Sequence, residues 1–419
     1  MNIIDMDDCQ YSDRNGSYGG QAGYKDGIIY NGGYWIVKYP KAVRDIQGGR
    51  TSVSYTTSPL SEYVGSHIYQ ILGYKTHDTL LCYRKGKIAV ACHDFCEHRG
   101  DLMEMRTIKN AGNEMLSEEL QTEFTSSNTG DRVNLKELLI HYERNPLLRD
   151  IQGITEHFWE TALIDILIDN GDRNNGNRGL LFDETTKTYS IAPVYDNGNS
   201  FSNKTSERRL KEIMSNKDRL TELALGSRTA YVIDGHQISA KKFVQIQDKE
   251  LQKALQKVIP LVQEHKQQII EMIQEIPETY MGIQVCSDTQ KQFMLSSMEL
   301  RLEHLLEPAI NKKKEKQDKP LGPDILEKIA QIKKAYEESC AYAAEFSNAG
   351  SFSQRTMELI TKQTQKEKLC SDLLEELFRK APEQKNEIKR ELVKSIPVKM
   401  VVSAENRIRK NRSRETHER

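Results

Sequence analysis

Two short polar motifs carry the residue types that could do chemistry in this sequence. Asp172 and Asn177 lie five residues apart in G-D-R-N-N-G-N, and Asp196 follows in Y-D-N-G after the β-type run S-I-A-P-V-Y. Transfer of a phosphoryl group from ATP needs a carboxylate at the acceptor hydroxyl and oxygen ligands for Mg²⁺. The spacing lets Asp172 face an acceptor while Asn177 and Asp196 face a metal. Taken singly, either motif could instead be an Asn-Gly turn.

A lysine, a glutamate and a glycine-rich segment precede these motifs. Lys38 lies in the β-type run Y-W-I-V-K-Y-P and could contact the α- and β-phosphates of ATP. Glu62, near the start of a helical segment, could pair with Lys38 and fix its position. Gly19, Gly20 and Gly23 would let backbone amides approach phosphate closely. This order of elements is the order found in kinases, although each element alone could be an ordinary surface feature.

Hydrophobic periodicity predicts the elements that position these residues. Up to residue 98, β-type runs flank a single amphipathic helix, and beyond it the spacing is mostly helical. The β-type runs cover 34–40, 79–84, 87–95, 178–182 and 189–194, and helical stretches cover 61–73, 135–143, 157–168, 251–276 and 290–306. The sequence therefore predicts an α+β fold, with a small antiparallel sheet lobe and one helix over 1–98 and a larger, mostly helical lobe over 99–310.

The C-terminal quarter differs in composition from the rest of the chain. Residues 311–419 include 25 basic and 18 acidic side chains, whereas the first 310 residues include 35 and 43. This predicts a charged linker over 311–323, an all-α extension over 324–396 and a basic, disordered tail over 397–419. The extension would form a small bundle or an arm that docks a partner. The tail has no Phe, Trp or Tyr, so nucleic-acid binding is not expected from it.

Composition excludes several classes of protein. The formal net charge is −1, so the chain as a whole lacks the excess positive charge with which proteins bind nucleic acid through bulk electrostatics. No apolar run approaches the 18 residues of a membrane span, and the first ten residues are acidic where a signal peptide would be basic. We therefore expect a cytoplasmic protein with reduced cysteines, with non-classical secretion or translocation left open.

Taken together, the motifs resemble those of the HipA-type serine/threonine kinases, and a secreted member of that group most closely. The matching stretches run in the same order from about residue 10 to about residue 310: W-I-V-K-Y-P-K, S-E-Y-V-G-S-H-I-Y-Q-I-L-G, K-I-A-V-A-C-H-D-F, G-D-R-N-N-G-N-R-G-L-L and I-A-P-V-Y-D-N-G-N-S-F. The resemblance implies a two-lobed protein-kinase-like fold, ATP and Mg²⁺ as cofactors, and a protein substrate with a Ser or Thr acceptor. HipA-type kinases often act as toxins, which implies an antitoxin or a regulatory partner at the C-terminal helices.

The resemblance also implies roles for individual residues. Lys38 would contact the ATP phosphates, Asp172 would be the catalytic aspartate, and Asn177 and Asp196 would hold Mg²⁺. Backbone groups of one strand end would bond adenine, namely those of Cys92, His93, Asp94 and Phe95. A serine of the glycine-rich loop is autophosphorylated in HipA, and Ser17 lies where that serine would fall, with Ser12 nearby.

Several alternatives remain open from the sequence. The family usually has His two residues after the catalytic aspartate, where this chain has Asn174, so a weak or dead pseudokinase that acts by binding is one alternative. A phosphoinositide-kinase-like lipid kinase is another, because of the G-D-R prefix. Four zinc-ligand types lie close together at Cys92, His93, Cys96 and His98, although without zinc-finger spacing. A further alternative is an activation-type segment that is phosphorylated at Ser200, Ser202, Thr205 or Ser206.

Overall fold

A five-stranded sheet and one helix form the first lobe of the computed structural model, which describes residues 2–14, 25–47, 50–96, 100–314, 321–348, 354–393, 395–397, 400–404 and 407. The strands up to Glu104 are β1 (Ile4–Asp5), β2 (Lys25–Tyr30), β3 (Gly33–Lys38), β4 (Ala42–Gln47), β5 (Arg50–Tyr55), β6 (Thr79–Arg84), β7 (Lys87–His93) and β8 (Gly100–Glu104), and the last of these belongs to a sheet of the second lobe. The main sheet has the order β1-β6-β7-β3-β2, while β4 and β5 pair separately. All neighbours in the main sheet are antiparallel except β1, which runs parallel to β6 at the edge.

Tight turns set the register of this sheet. The β2–β3 turn uses Asn31 and Gly32, and the β6–β7 turn uses Lys85 and Gly86, all four with positive φ. Such turns match the right-handed twist of the strands that they join. Lys38 is the last residue of β3, so the register fixed by Asn31 and Gly32 also fixes where its side chain leaves the sheet.

Helix α1 (Ser58–Ile71) packs on this sheet through one apolar face. Val64 and Ile68 are fully buried on that face, and Leu72 follows at the C-cap. The helix starts with a proline in its first turn and is followed by Gly73 at φ +81°, which an L side chain rarely adopts. Glu62 lies one turn from the N-terminus and is buried toward the second lobe. The predicted sheet lobe with one helix is confirmed.

The second lobe is mostly helical. Its helices are α2 (Met105–Leu120), α3 (Leu135–Arg144), α4 (Ile154–Ile168), α5 (Glu207–Met214), α6 (Lys217–Leu225), α7 (Ala240–Phe243), α8 (Lys249–Gln274), α9 (Asp288–Arg301), a π-helical turn (Leu302–Leu306) and α10 (Glu307–Lys314). Its strands are β9 (Val133–Asn134), β10 (Gly179–Asp183), β11 (Thr188–Ile191), β12 (Arg228–Ile233), β13 (His236–Ser239), β14 (Thr279–Tyr280) and β15 (Ile283–Gln284). Strand β10 pairs antiparallel with both β8 and β11.

Helix α4 is the centre of this lobe. It is apolar on almost every side, and Phe158, Trp159 and Leu163 are among its buried residues. A helix that is hydrophobic all round must be enclosed by other elements, and α8 packs along it. The chain leaves α4 through Asp169, whose φ of 58° turns it directly into the G-D-R-N-N-G-N motif. This buried helix therefore leads into the segment that contains Asp172 and Asn177.

The C-terminal unit, Lys314–Arg419, is all-α in its described residues. It comprises α11 (Pro323–Asn348), α12 (Gln354–Lys380), a 3₁₀ turn (Pro382–Gln384), α13 (Lys385–Leu392) and a helical segment over 400–404. Ion pairs from Lys328 to Glu376 and from Lys366 to Glu338 show that α11 and α12 run antiparallel. Its core is apolar and includes Ile332, Leu374 and Leu377. The predicted all-α extension is confirmed.

Two boundaries of this region differ from the predictions. Helix α10 continues to Lys314, into the stretch predicted as a linker. Residues 400–404 are helical rather than disordered, and Val401 and Ala404 are buried in the apolar cluster of this unit. The high density of charged residues over 397–419 is the reason for the prediction of disorder, despite these few apolar side chains. Over the described residues, none of the helices is long and apolar enough to cross a bilayer.

Candidate active site

Three segments meet where the sheet lobe faces α4. They are the end of β3 with Lys38, the second turn of α1 with Glu62, and the segment after β11 with Asp196. The Lys38 Nζ lies 3.1 Å from Glu62 Oε2 and 3.1 Å from Asp196 Oδ1. The structure therefore brings together three of the residues that the sequence predicted.

Glu62 is the most deeply buried of these three residues. Its side chain is 1% exposed, and its second oxygen, Oε1, lies 2.9 Å from His77 Nε2 and accepts the backbone N–H of Asn197 at 3.0 Å. Burial alone would raise the pKa of this carboxyl, but Lys38 and His77 hold the pKa of Glu62 well below its usual range. Burial likewise opposes the charge on Lys38, and Asp196 and Glu62 raise the pKa of Lys38 well above its usual value. The pair is therefore ionised.

The backbone around Asp196 is shaped for this contact. Asp196 has φ of 59°, an uncommon conformation for a residue with a side chain. Two residues later, a Cβ added to Gly198 would lie 2.8 Å from Ser58 Oγ and 3.1 Å from Glu62 Oε2. The glycine of Y-D-N-G is therefore needed because any side chain at this position would collide with α1. A simple Asn-Gly turn would not impose this requirement.

The segment that contains Asp172 is braced by asparagine side chains. Asn177 Nδ2 donates to the Asp172 carbonyl at 2.7 Å, and Asn174 Nδ2 donates to the Asp172 carboxylate Oδ1 at 3.1 Å. Asn174 Oδ1 accepts the N–H of Gly176 at 2.8 Å. Asn174 thus spans the loop at the position where the family usually has histidine.

Burial and a neighbouring charge act together on Asp172. Burial raises the pKa of Asp172 above its usual range, and the Asp196 carboxylate raises it further. The hydrogen bond from Asn174 and the charge of Lys204 act in the opposite direction. A carboxylate with a raised pKa beside a second carboxylate is an arrangement found at sites of proton transfer and metal binding.

The oxygen donors fit the requirements of Mg²⁺. Asp196 offers a carboxylate that is 39% exposed. The amide nitrogen of Asn177 is engaged by the Asp172 carbonyl, so its amide oxygen remains the group available for a ligand. Mg²⁺ prefers carboxylate and carbonyl oxygens and keeps several waters, which suits a site with two protein donors.

The strand end predicted to bond adenine lies beside this cluster, but part of its backbone is already engaged. The N–H of His93 donates to the Asp78 carbonyl at 2.8 Å, and that of Asp94 donates to Tyr34 at 2.9 Å. Cys92 is buried, which raises the pKa of its thiol and keeps it neutral. Phe95 packs against Tyr195, the residue before Asp196. Amide donation to adenine by His93 and Asp94 would therefore need these sheet bonds to open.

Several predicted residues lie outside the described residues. Gly19, Gly20, Gly23 and Ser17 belong to this group, as does His98 of the zinc alternative. Among described residues, the cluster of metal-ligand types is instead Glu62, His77 and Cys92. The Lys38 ammonium lies 3.1 Å from Oε2 of that glutamate and His77 Nε2 lies 2.9 Å from its Oε1, so both carboxylate oxygens already have partners within the protein.

The serine-rich stretch after Asp196 has structural contacts. Ser200 is fully buried, and its hydroxyl donates to the Asn197 carbonyl at 2.8 Å. Ser206 caps α5 by accepting the N–H of Arg209. These contacts correct the interpretation of Ser200 as an accessible phosphorylation site. His77 and Asn197 are site residues that the sequence analysis missed, because no local spacing signals their contacts with Glu62, which lies more than ten positions from each.

Comparison with known proteins identifies a kinase that is similar to this chain. No protein-family model matches the chain. The serine/threonine-protein kinase CtkA of Helicobacter pylori is 31% identical over 220 residues, which is 52% of this chain and 62% of that relative, so the match spans less than two thirds of its length. A crystal structure of the H. pylori proinflammatory kinase CtkA matches with a TM-score of 0.64 at 27% identity, over 76% of this chain and 100% of that chain.

A weaker structural match is HipA of Shewanella oneidensis, solved with HipB and operator DNA. Its TM-score is 0.43 at 14% identity, over 71% of this chain and 69% of that chain. The CtkA matches confirm both the predicted resemblance and the two-lobed α+β fold. In sequence and in fold, this chain is similar to the serine/threonine-protein kinase CtkA.

Proposed function

We propose that the chain is an ATP- and Mg²⁺-dependent protein serine/threonine kinase of the HipA and CtkA type. The observation that carries the proposal is the Lys38 ammonium, held at 3.1 Å from both Glu62 and Asp196. A lysine whose side chain is only 22% exposed is costly unless paired, and its two partners here come from segments far apart in the sequence. This is the arrangement that aligns ATP phosphates in kinases.

Each residue has a definite task in this proposal. Bound Mg²⁺-ATP would supply the phosphoryl group and neutralise its developing charge. Lys38 would orient the α- and β-phosphates, and Asn177 and Asp196 would hold the metal through their oxygens. Asp172 would accept a hydrogen bond from the acceptor hydroxyl and take its proton as the new oxygen–phosphorus bond forms and the bond to the β,γ-bridging oxygen breaks, which releases ADP.

The bracing by Asn174 supports an active enzyme over a pseudokinase. A histidine at this position could brace the loop with one ring nitrogen, and Asn174 does so with both ends of its amide. Its hydrogen bond also stabilises the ionised form of Asp172, which the proposed base needs. Asn174 therefore replaces the structural role of the histidine, although it cannot carry a charge.

Three finer features belong to the proposal and rest on the resemblance. The acceptor would be a serine or threonine of a protein, and one acceptor would be Ser17 of the chain itself. The C-terminal helices would engage an antitoxin or a regulatory partner. Their exposed apolar side chains include Leu326, Met357 and Leu369.

Transfer of radiolabelled phosphate tests the proposal. The full chain would be incubated with labelled ATP and Mg²⁺, with a generic basic protein and phosphoinositide vesicles in parallel. Asp196→Asn should abolish labelling, whereas Asp234→Asn should not. The two positions are matched, since both aspartates have positive φ and Asp234 lies in an exposed turn. Label on serine or threonine supports the proposal, and label confined to lipid would replace it with the lipid-kinase alternative.

A further inference from the structure

Arg173 is buried between the two segments that carry the proposed metal ligands. Its side chain is 4% exposed, and it pairs with Asp165 of α4 through two hydrogen bonds of 2.9 Å. Asp165 is itself buried and also accepts a hydrogen bond from the Tyr69 hydroxyl at 2.9 Å. The positive charge of Arg173 is therefore neutralised inside the fold and is not available to a phosphate.

The remaining donors of Arg173 reach the neighbours of both ligands. Its Nη1 donates to the carbonyl of Asn177 at 3.2 Å and to the carbonyl of Tyr195, which immediately precedes Asp196. Its Nη2 donates to Oδ1 of Asn197, which immediately follows Asp196. One planar group thus joins the backbone of one proposed ligand to both residues that flank the other.

From this geometry we infer that Arg173 is a positioning residue that sets the separation of Asn177 and Asp196. The inference rests on the proposed function. A guanidinium has five donors in a rigid fork, and Arg173 uses three of its nitrogens in these bonds. A lysine could keep the charge opposite Asp165, but it could not hold two segments at a fixed spacing.

The same network extends to the lysine. Asn197, which Arg173 contacts, donates its N–H to Glu62, and Glu62 pairs with Lys38. Displacement of Arg173 would therefore disturb the metal ligands and the phosphate-binding lysine together. Groups that orient metal ligands typically change metal affinity by about 10- to 100-fold when they are altered.

Arg173→Lys would be compared with Arg84→Lys in the full chain. Arg84 is a matched control, because it is 3% exposed, pairs with one aspartate, Asp26, and donates to backbone carbonyls of the sheet lobe. Mn²⁺ would be titrated in the presence of a non-hydrolysable ATP analogue, and free Mn²⁺ would be measured by electron paramagnetic resonance. We expect half-saturation to need about tenfold more Mn²⁺ in Arg173→Lys, with no change in Arg84→Lys.

The outcomes separate this inference from the proposed function. Equal Mn²⁺ half-saturation in wild type and a folded Arg173→Lys would overturn the inference while leaving the kinase proposal intact. A wild type that binds no Mn²⁺ with the nucleotide would overturn both. If Arg173→Lys does not fold, Asn197→Ala removes one arm of the network and should shift half-saturation in the same direction. Its control is Asn113→Ala, a buried asparagine of α2, and equal half-saturation in both variants would contradict the inference.

Discussion

The kinase-like unit and the C-terminal unit bury different kinds of side chain. The first encloses charged residues, including Glu62, Asp165 and Arg173, whose side chains are each 5% exposed or less. In the C-terminal unit, the described buried polar residues are Ser339, Thr356 and Ser371, none of them charged. Buried charge stabilises a fold poorly compared with apolar packing. Its concentration in one unit therefore indicates where the chain maintains a defined geometry for chemistry.

The largest expected effect separates the two units. Leu374→Ala empties a fully buried position of the C-terminal core and should lower the stability of that unit by about 2–5 kcal/mol. Leu369→Ala, on the same helix but 44% exposed, should change stability by less than about 0.5 kcal/mol. Denaturation followed by circular dichroism measures both. Phosphate transfer should stay within about twofold of wild type in each variant, and a large loss of transfer in Leu374→Ala would show that the units are functionally coupled.

A smaller effect is expected at the buried ion pair. Glu62→Gln keeps the shape of the side chain but removes the charge that pairs with Lys38. The KM for ATP should rise about tenfold, which corresponds to about 1.4 kcal/mol. Glu143→Gln, at a side chain that is 72% exposed, is the control and should leave the KM unchanged. An unchanged KM for ATP in Glu62→Gln would contradict the proposed contact of Lys38 with the ATP phosphates.

The pH dependence of transfer sharpens the role of Asn174. Asp172 must be ionised to accept a proton, and its pKa is raised by burial, so the rate should fall as the pH drops through that raised pKa. Asn174→Ala removes a hydrogen bond that lowers this pKa. The acid limb of kcat/KM should therefore move to higher pH, with about threefold loss of rate on the plateau. A limb that does not move would separate Asn174 from the titrating group.

The smallest effect is expected at the surface of the C-terminal unit. Glu338 pairs with Lys366 between α11 and α12, and both side chains are about one third exposed. Exposed ion pairs are screened by water and salt and contribute little. Glu338→Gln should therefore leave the melting temperature unchanged within about 1 °C. A clear decrease would mean that ion pairing, rather than apolar packing, determines the stability of this unit.

The sequence predicted the parts of the molecule that rest on local pattern. The periodicity of α4 and α8 and the separation of the β-type runs 79–84 and 87–95 are local signals, and the structure contains these helices and two strands joined by a turn at Lys85 and Gly86. The sequence also predicted a pair between Lys38 and Glu62, which the structure contains, but it did not predict the second contact of Lys38, with Asp196. Charge density misled the prediction at residues 400–404, where two buried apolar side chains are enough to pack a short helix.

The supporting contacts of the site could not be predicted in the same way. His77 contacts Glu62 from a loop, and Asn197 reaches it across 135 residues. Arg173 and Asp165 pair between a helix interior and the loop that follows it. Polar contacts of this kind have no periodicity, since any charged or amide residue could supply them. They become visible only when the fold brings the segments together.

Asp172→Asn gives the most direct test of the central claim. Because burial raises the pKa of Asp172 in the folded protein, its ionised form opposes folding above that pKa, so the variant should be at least as stable as wild type at pH 7. Labelled phosphate transferred from Mg²⁺-ATP to serine or threonine would be measured for wild type, Asp172→Asn and Asp234→Asn at equal folded concentration. We predict that transfer by Asp172→Asn falls by about 10²- to 10⁴-fold and that the control is unchanged. Equal transfer by Asp172→Asn and wild type would contradict the account.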